Sequence, residues 1–155
     1  MGSLTVPIYG FTLALALLIG SQDPLSAERQ LQMTGQGRFT YFADLSTVVD
    51  DGNGVRRLRA LQLSDEPMMI GDVAFIGGWS NWSFDCVQRT ARRIDFSSLR
   101  SDGVEGPATP VQTGAYPLSP GGDAAELAAV ACGEIEQKID ARNLNEAIAL
   151  ASEID

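Results

Sequence analysis

A chain of 155 residues with 45% hydrophobic and 7% aromatic residues has enough apolar side chain for the core of one domain, which excludes a disordered polymer. Its formal charge of -9 excludes nucleic acid as the main partner, because a phosphate backbone rewards clustered Lys and Arg through counterion release. The acidity belongs to the last third: residues 28–100 carry nine Arg against nine acids, whereas residues 101–155 carry Lys138 and Arg142 against ten.

The apolar run Ile8–Gly20, "IYGFTLALALLIG", is too short to span a bilayer comfortably, and a polar stretch ending in the small residue Ala27 follows it. This layout predicts a secretory leader over residues 1–27, cleaved near Ala27. No Lys or Arg precedes the run and Leu25 departs from the small-residue rule, so an uncleaved anchor is the alternative; the membrane is then touched only through this segment. No cysteine lies near the end of the run, which excludes lipid attachment there, and Val6 stands where a myristoylation signal needs Ser or Thr.

"GRFTYFADLSTVV" and "VRRLRALQL" enclose the turn-forming cluster "DDGNG", which predicts a hairpin of strands over Arg38–Val49 and Val55–Leu63. Asp50 and Asp51 read as turn formers, since a calcium loop would need an acidic closing residue that "DDGNG" lacks. "SDEP" then reads as a turn, and "MMIGDVAFIGGW" as a third apolar run bent or bulged at Gly71, Gly77 and Gly78. "NWSFDCVQRTARR", Asn81–Arg93, is ambiguous. Phe84, Val87, Ala91 and Ile94 recur at helical spacing behind Ser83 as a candidate N-cap, whereas a strand would put Trp82, Phe84 and Cys86 on one face.

Residues 101–122 hold five Gly and four Pro and read as a long loop with a short strand near Val111–Tyr116. Asp123 and Glu126 have capping-box spacing at the start of a helix whose apolar stripe is Leu127, Val130, Ala131, Ile135 and Ile139, weakened or ended at Gly133. "ARNLNEAIALASEID" predicts a second amphipathic helix with Leu144, Ile148 and Ala151 on one face. The two cysteines, Cys86 and Cys132, read most simply as one disulfide in an exported chain. Two buried thiols, or half of a metal site completed by carboxylates, are the other readings; with no His and no C-x-x-C, neither a metal nor a cofactor is expected.

The order "YFADLSTVVDDGNGVRRLRAL", "WSNWSFDC", an Arg-rich strand and "YPLSPGGDAAELAAVAC" resembles the surface-adhesin protein E family of small exported Gram-negative proteins. Tyr41, Asp44, Gly52, Asp85, Cys86, Pro120, Gly121 and Cys132 carry the resemblance, which covers roughly Phe39–Cys132. It implies an α+β domain over residues 28–133, with an antiparallel sheet flanked by a C-terminal helix and Cys86 in a strand bonded to Cys132 in the helix. Residues 134–155 are then a helical extension that the family does not explain. It also implies a non-enzymatic protein that binds a macromolecule, in the periplasm, at the cell surface or after secretion, and without a lipid. In a bacterial protein the sequon "NWS" at Asn81 is incidental.

On that fold Trp82, Phe84 and Cys86 face the core. Arg56, Arg57, Arg59, Arg89, Arg92 and Arg93 have two readings: a solvated, ion-paired sheet surface, or a basic patch for a protein or acidic glycan partner. Neighbouring strand positions face opposite ways, so Arg89, Arg92 and Arg93 share a patch only if a bulge intervenes. Trp79 and Trp82 beside Gly77 and Gly78 are either an exposed aromatic platform or one core and one partly exposed Trp. Catalysis finds little support, because the absence of His removes the commonest general base and no spacing singles out a carboxylate pair for a small hydrolase. A periplasmic structural or assembly protein is the alternative to a surface binder. Self-association through an edge strand or the last helix also stays open.

Overall fold

A computed structural model describes residues 1–3, 20 and 22–153. The apolar run expected as a secretory leader lies, Gly20 apart, outside the described residues. Among the described residues, eight strands and two helices follow in chain order: β1 Leu31–Gly35, β2 Phe39–Gly52, β3 Val55–Ile70, β4 Val73–Asp85, β5 Thr90–Arg93, β6 Asp95–Arg100, β7 Thr109–Pro110, β8 Tyr116–Pro117, α1 Asp123–Ala131 and α2 Leu144–Ser152. The fold is the expected antiparallel sheet with C-terminal helix, running β1-β2-β3-β4 and continuing past β4 into β5 and β8. The lower half of β4 pairs instead with β6, which carries β7.

The β2–β3 hairpin forms where the sequence placed it. Asn53 and Gly54 both take positive φ, 54° and 79°, the conformation that a two-residue turn matched to strand twist requires. "SDEP" does not reverse the chain. Between the pairs Leu63↔Gly77 and Met68↔Phe75 the longer side, β3, bulges out of the ladder, and the reversal comes at Gly71, with φ 61°. The ambiguous stretch is strand to Asp85 and turn over residues 86–89, so Cys86 sits one residue beyond the strand expected for it. Instead of one short strand near Val111–Tyr116, the Pro- and Gly-rich loop pairs with the sheet through β7 and β8 and through a single bridge from Glu105 to Leu99.

Two cores lie on opposite faces and at opposite ends of the sheet. On β3, Leu58 and Ala60 face α1 with Trp82, Phe84, Ala91, Leu127 and Val130; Leu61 and Leu63 face the other way, with Phe42, Trp79, Leu99, Leu144 and Ala147 under α2. Cys86 and Cys132 close the first core as a disulfide, Cα atoms 5.8 Å apart, which ties the β4–β5 turn to the last turn of α1. Gly133, at φ 70°, ends α1, so Ile135 and Ile139 fall outside the helix and are exposed.

Asp123 is not the N-cap of α1. That position is Gly122, which makes no side-chain cap. The capping geometry is at α2, where Asn143 accepts from the Glu146 N–H at 2.9 Å and Glu146 accepts from the Arg142 N–H at 2.7 Å. Residues 134–143 cross the sheet edge at β1: Gln32 donates to the Glu136 carbonyl and accepts from Lys138 N–H, and Ala141 forms a bridge with Leu31. The segment expected as an extension therefore completes the second core. Leu25, ahead of Ala27, packs on that core too, and its carbonyl accepts from Asn145 N–H.

Candidate functional site

The predicted site residues do not converge. Trp79 and Trp82 are 1% and 7% exposed and belong to different cores, so neither the exposed platform nor the partly exposed Trp is found. Arg56 and Arg57 bind Asp50 and Asp51 across the hairpin tip, where solvent screening leaves such pairs worth little. Arg89 lies in the β4–β5 turn at φ 55° and meets Glu134. Arg92 opposes Ser83 on the face away from α1 and is exposed.

Arg59 is held by structure. Its guanidinium and that of Arg29 both lie 4.5 Å from the Trp79 ring centre, and Glu105 bridges the two cations while Arg29 also approaches Asp44 at 3.7 Å. Asp44 is 2% exposed and accepts from the Ser46 N–H and hydroxyl, so its charge is met on several sides. Two cations and two carboxylates close a neutral cluster over the indole, next to the second core.

Arg93 differs from all of these. Arg93 lies on the α1 face of the sheet, opposite Trp82 and beside the first turn of α1. A one-residue bulge after β5 puts Arg93 and Phe96 on the same face: Trp82 pairs with Arg93 and Trp79 with Ser97, and the Asp95 carboxylate takes the Asn81 N–H that the ladder leaves free. The Arg93 Nε–H donates to the Ser80 hydroxyl at 2.7 Å and an Nη2–H to Gln62 at 3.4 Å. The guanidinium is 5.6 Å from the Trp82 ring centre and 5.0 Å from that of Phe96. Among the described residues no carboxylate lies within 4 Å of it.

Around this cation is a cleft of about 320 Å³ lined by Tyr41, Trp82, Arg93, Tyr116, Asp123 and the first turn of α1. Burial pushes the Tyr41 hydroxyl up to about 12, the Asp123 carboxylate beside it adding to the rise and Arg93 opposing it. Burial also raises Tyr116. Because Gly122 offers no side-chain cap, the first backbone N–H groups of α1 lie along the same cleft. A second groove, of about 590 Å³, continues along the open face past Gln62 and Phe96 to Phe39, Met68 and Phe75, with Arg38 at its rim. The Phe96 ring that lines it needs glycine at 78, where a Cβ would meet the ring at 2.3 Å.

Sequence reasoning singled out Arg93 and Trp82 but not Phe96, Tyr116 or Asp123 as their neighbours. Phe96 and Arg93 share a face only through the bulge, and Asp123 was assigned to a cap. Comparison with protein-family models, curated proteins and solved structures finds no match for the chain.

Proposed function

We propose that this is an exported, non-enzymatic binding protein, similar in function to the surface-adhesin protein E family, that holds an acidic group of a macromolecular partner in the Arg93 cleft. The observation that carries the reading is the state of Arg93: fixed through Ser80 and Gln62, stacked between aromatic rings, and without a carboxylate within 4 Å among the described residues. Three of its five N–H groups stay free for a ligand, in the fork geometry that suits a carboxylate or sulfate. The Tyr116 hydroxyl and the uncapped start of α1 supply further donors, while the Tyr41 hydroxyl is engaged by Asp123. Export is supported by the disulfide, which persists in oxidising compartments. Among the described residues no helix is long and apolar enough to cross a membrane.

Trp82 lines the cleft and Trp79 is buried on the opposite face, so tryptophan fluorescence reports ligand entry. Titration with acidic peptides and with sulfated and carboxylated oligosaccharides is expected to give a saturable change with at least one of them. Arg93→Ala should weaken that binding about tenfold or more, the cost of one charge-assisted contact, whereas Arg56→Ala in the hairpin tip should leave it unchanged. The reading fails if no probe gives saturable binding, or if Arg93→Ala binds as tightly as the parent chain.

A further inference from the structure

We infer that residues 23–27 are a clasp of the mature protein, and that the leader is cut ahead of them, after Gly20 or Ser21, rather than after Ala27. This rests on the reading of the chain as exported. The sequence pattern does not choose between the positions. A cut after Ala27 leaves a small residue last and Leu25 two places before it; a cut after Gly20 or Ser21 also leaves a small residue last, with Leu18 or Ile19 in that place. Each position meets half of the small-residue rule, and the folded domain breaks the tie.

Residues 23–27 are built into that domain. The Asp23 carboxylate accepts from the Leu25 N–H at 3.1 Å and from the Ser26 hydroxyl at 3.4 Å, and the Asp23 carbonyl accepts from the Ser26 N–H at 2.9 Å, which closes the segment as a turn. The Leu25 carbonyl accepts at 3.2 Å from the N–H of Asn145, the second residue of α2, where a donor has no partner inside its own helix. The Asn145 side chain donates to the Ser26 hydroxyl at 3.4 Å. Leu25 packs on the second core and covers Gly103, which is buried at φ 83°; a Cβ there would stand 3.0 Å from the Leu25 Cδ2 and 3.1 Å from its backbone nitrogen. From this seat the chain runs straight into the fold, the Arg29 N–H donating to the Arg142 carbonyl at 2.7 Å and the Leu31 N–H to the Ala141 carbonyl at 2.9 Å. Leader removal acts on the unfolded chain, so these contacts do not shield the bond after Ala27. They mark which product the fold is fitted to: a chain beginning at Glu28 would return the Asn145 N–H to water and open the Leu25 seat on the second core.

Intact mass and N-terminal sequencing test the assignment, on the full chain expressed with its own N-terminus in a Gram-negative host and recovered from the periplasm. The expected first residue is Ser21 or Gln22. A chain beginning at Glu28 overturns the inference and leaves export standing, and so does an uncut chain held in the membrane with its domain outside the cytoplasm. An uncut chain in the cytoplasm overturns export as well. Leu25→Gln, which keeps a large residue at that position of the Ala27 site, supplies a second readout. In the exported protein it should raise the unfolding equilibrium constant about tenfold or more, the effect of setting a polar amide against an apolar core, whereas Gln22→Ala should leave it unchanged. An exported Leu25→Gln protein as stable as the parent overturns the clasp.

Discussion

Tyr41 sits half-buried on β2, facing Asp123 across the cleft, and its ionisation couples that site to the stability of the fold. In the unfolded chain a tyrosine releases its proton near pH 10, whereas in the folded chain Tyr41 holds it to about 12. The folded state therefore favours the protonated hydroxyl. Its contribution is complete below pH 10 and is lost as pH rises from 10 to 12, because the unfolded ensemble gives up the proton first. Tyr116 is raised in the same direction and adds to the loss. Chemical denaturation between pH 9 and 12 should show the midpoint falling through this window, and Tyr41→Phe should flatten the fall. An equal fall in parent and variant would show that the Tyr41 hydroxyl does not carry the effect. At this scale the sequence was only partly legible. Arg93 was visible as one of six candidate arginines, but its distinction is to be held beside Trp82 and Phe96 with no carboxylate close in space, whereas Arg92 is exposed and the acids that neutralise Arg59 and Arg89 come from 45 or more residues away.

The strands carry a pattern that a single period does not capture. Along β3 the buried residues are Leu58 and Ala60, then Leu61 and Leu63; the alternation slips by one position at the 60–61 step as the chain passes from under α1 to over α2. That slip was present in "LRALQL" and is the signature of a sheet covered on opposite faces at its two ends. It also explains the open cleft, since Gln62 and Ser80 are polar where α1 no longer covers the sheet. The hairpin was legible because Asn-Gly demands one kind of turn, whereas the cap was assigned to Asp123-x-x-Glu126 and missed at Asn143-x-x-Glu146, which has the same spacing. Gly121 and Gly122 let α1 begin without a side-chain cap, and the cap falls to Asn143. Leu144, at 1% exposure, anchors α2 in the second core. Leu144→Ala should cost about 2 to 5 kcal/mol in urea denaturation, the range for emptying a packed leucine site. A loss below about 1 kcal/mol would mean that α2 is an ornament on the fold rather than part of its core.

At the scale of the whole molecule, two small cores on opposite faces of one sheet must unfold together or separately, and the disulfide bears on which. α1 has nine residues, no side-chain N-cap and no basic residue in its last turn, so its own helical preference is weak. Packing on Trp82 and Phe84 and the Cys86–Cys132 bond hold it to the sheet. The pairing was reached from the cysteine count and the resemblance; that Cys86 lies in a turn was hidden because the ambiguous stretch changes structure one residue before it. With a sequence separation of 46 between the cysteines, closing the loop restricts the unfolded chain by roughly 4 kcal/mol in the chain-entropy account. The double substitution Cys86→Ser with Cys132→Ser, which leaves no free thiol, should lower stability by about 2 to 5 kcal/mol. Its effect should also be uneven. Loosening α1 uncovers Trp82 in the first core, while Trp79, between Arg29 and Arg59 over the second, keeps its surroundings. Single-tryptophan versions of the serine variant should therefore show an earlier transition for Trp82 than for Trp79, and coincident transitions in the oxidised parent. Coincidence in both would mean that the sheet alone couples the two cores, and an unchanged midpoint would remove the disulfide as a determinant of stability.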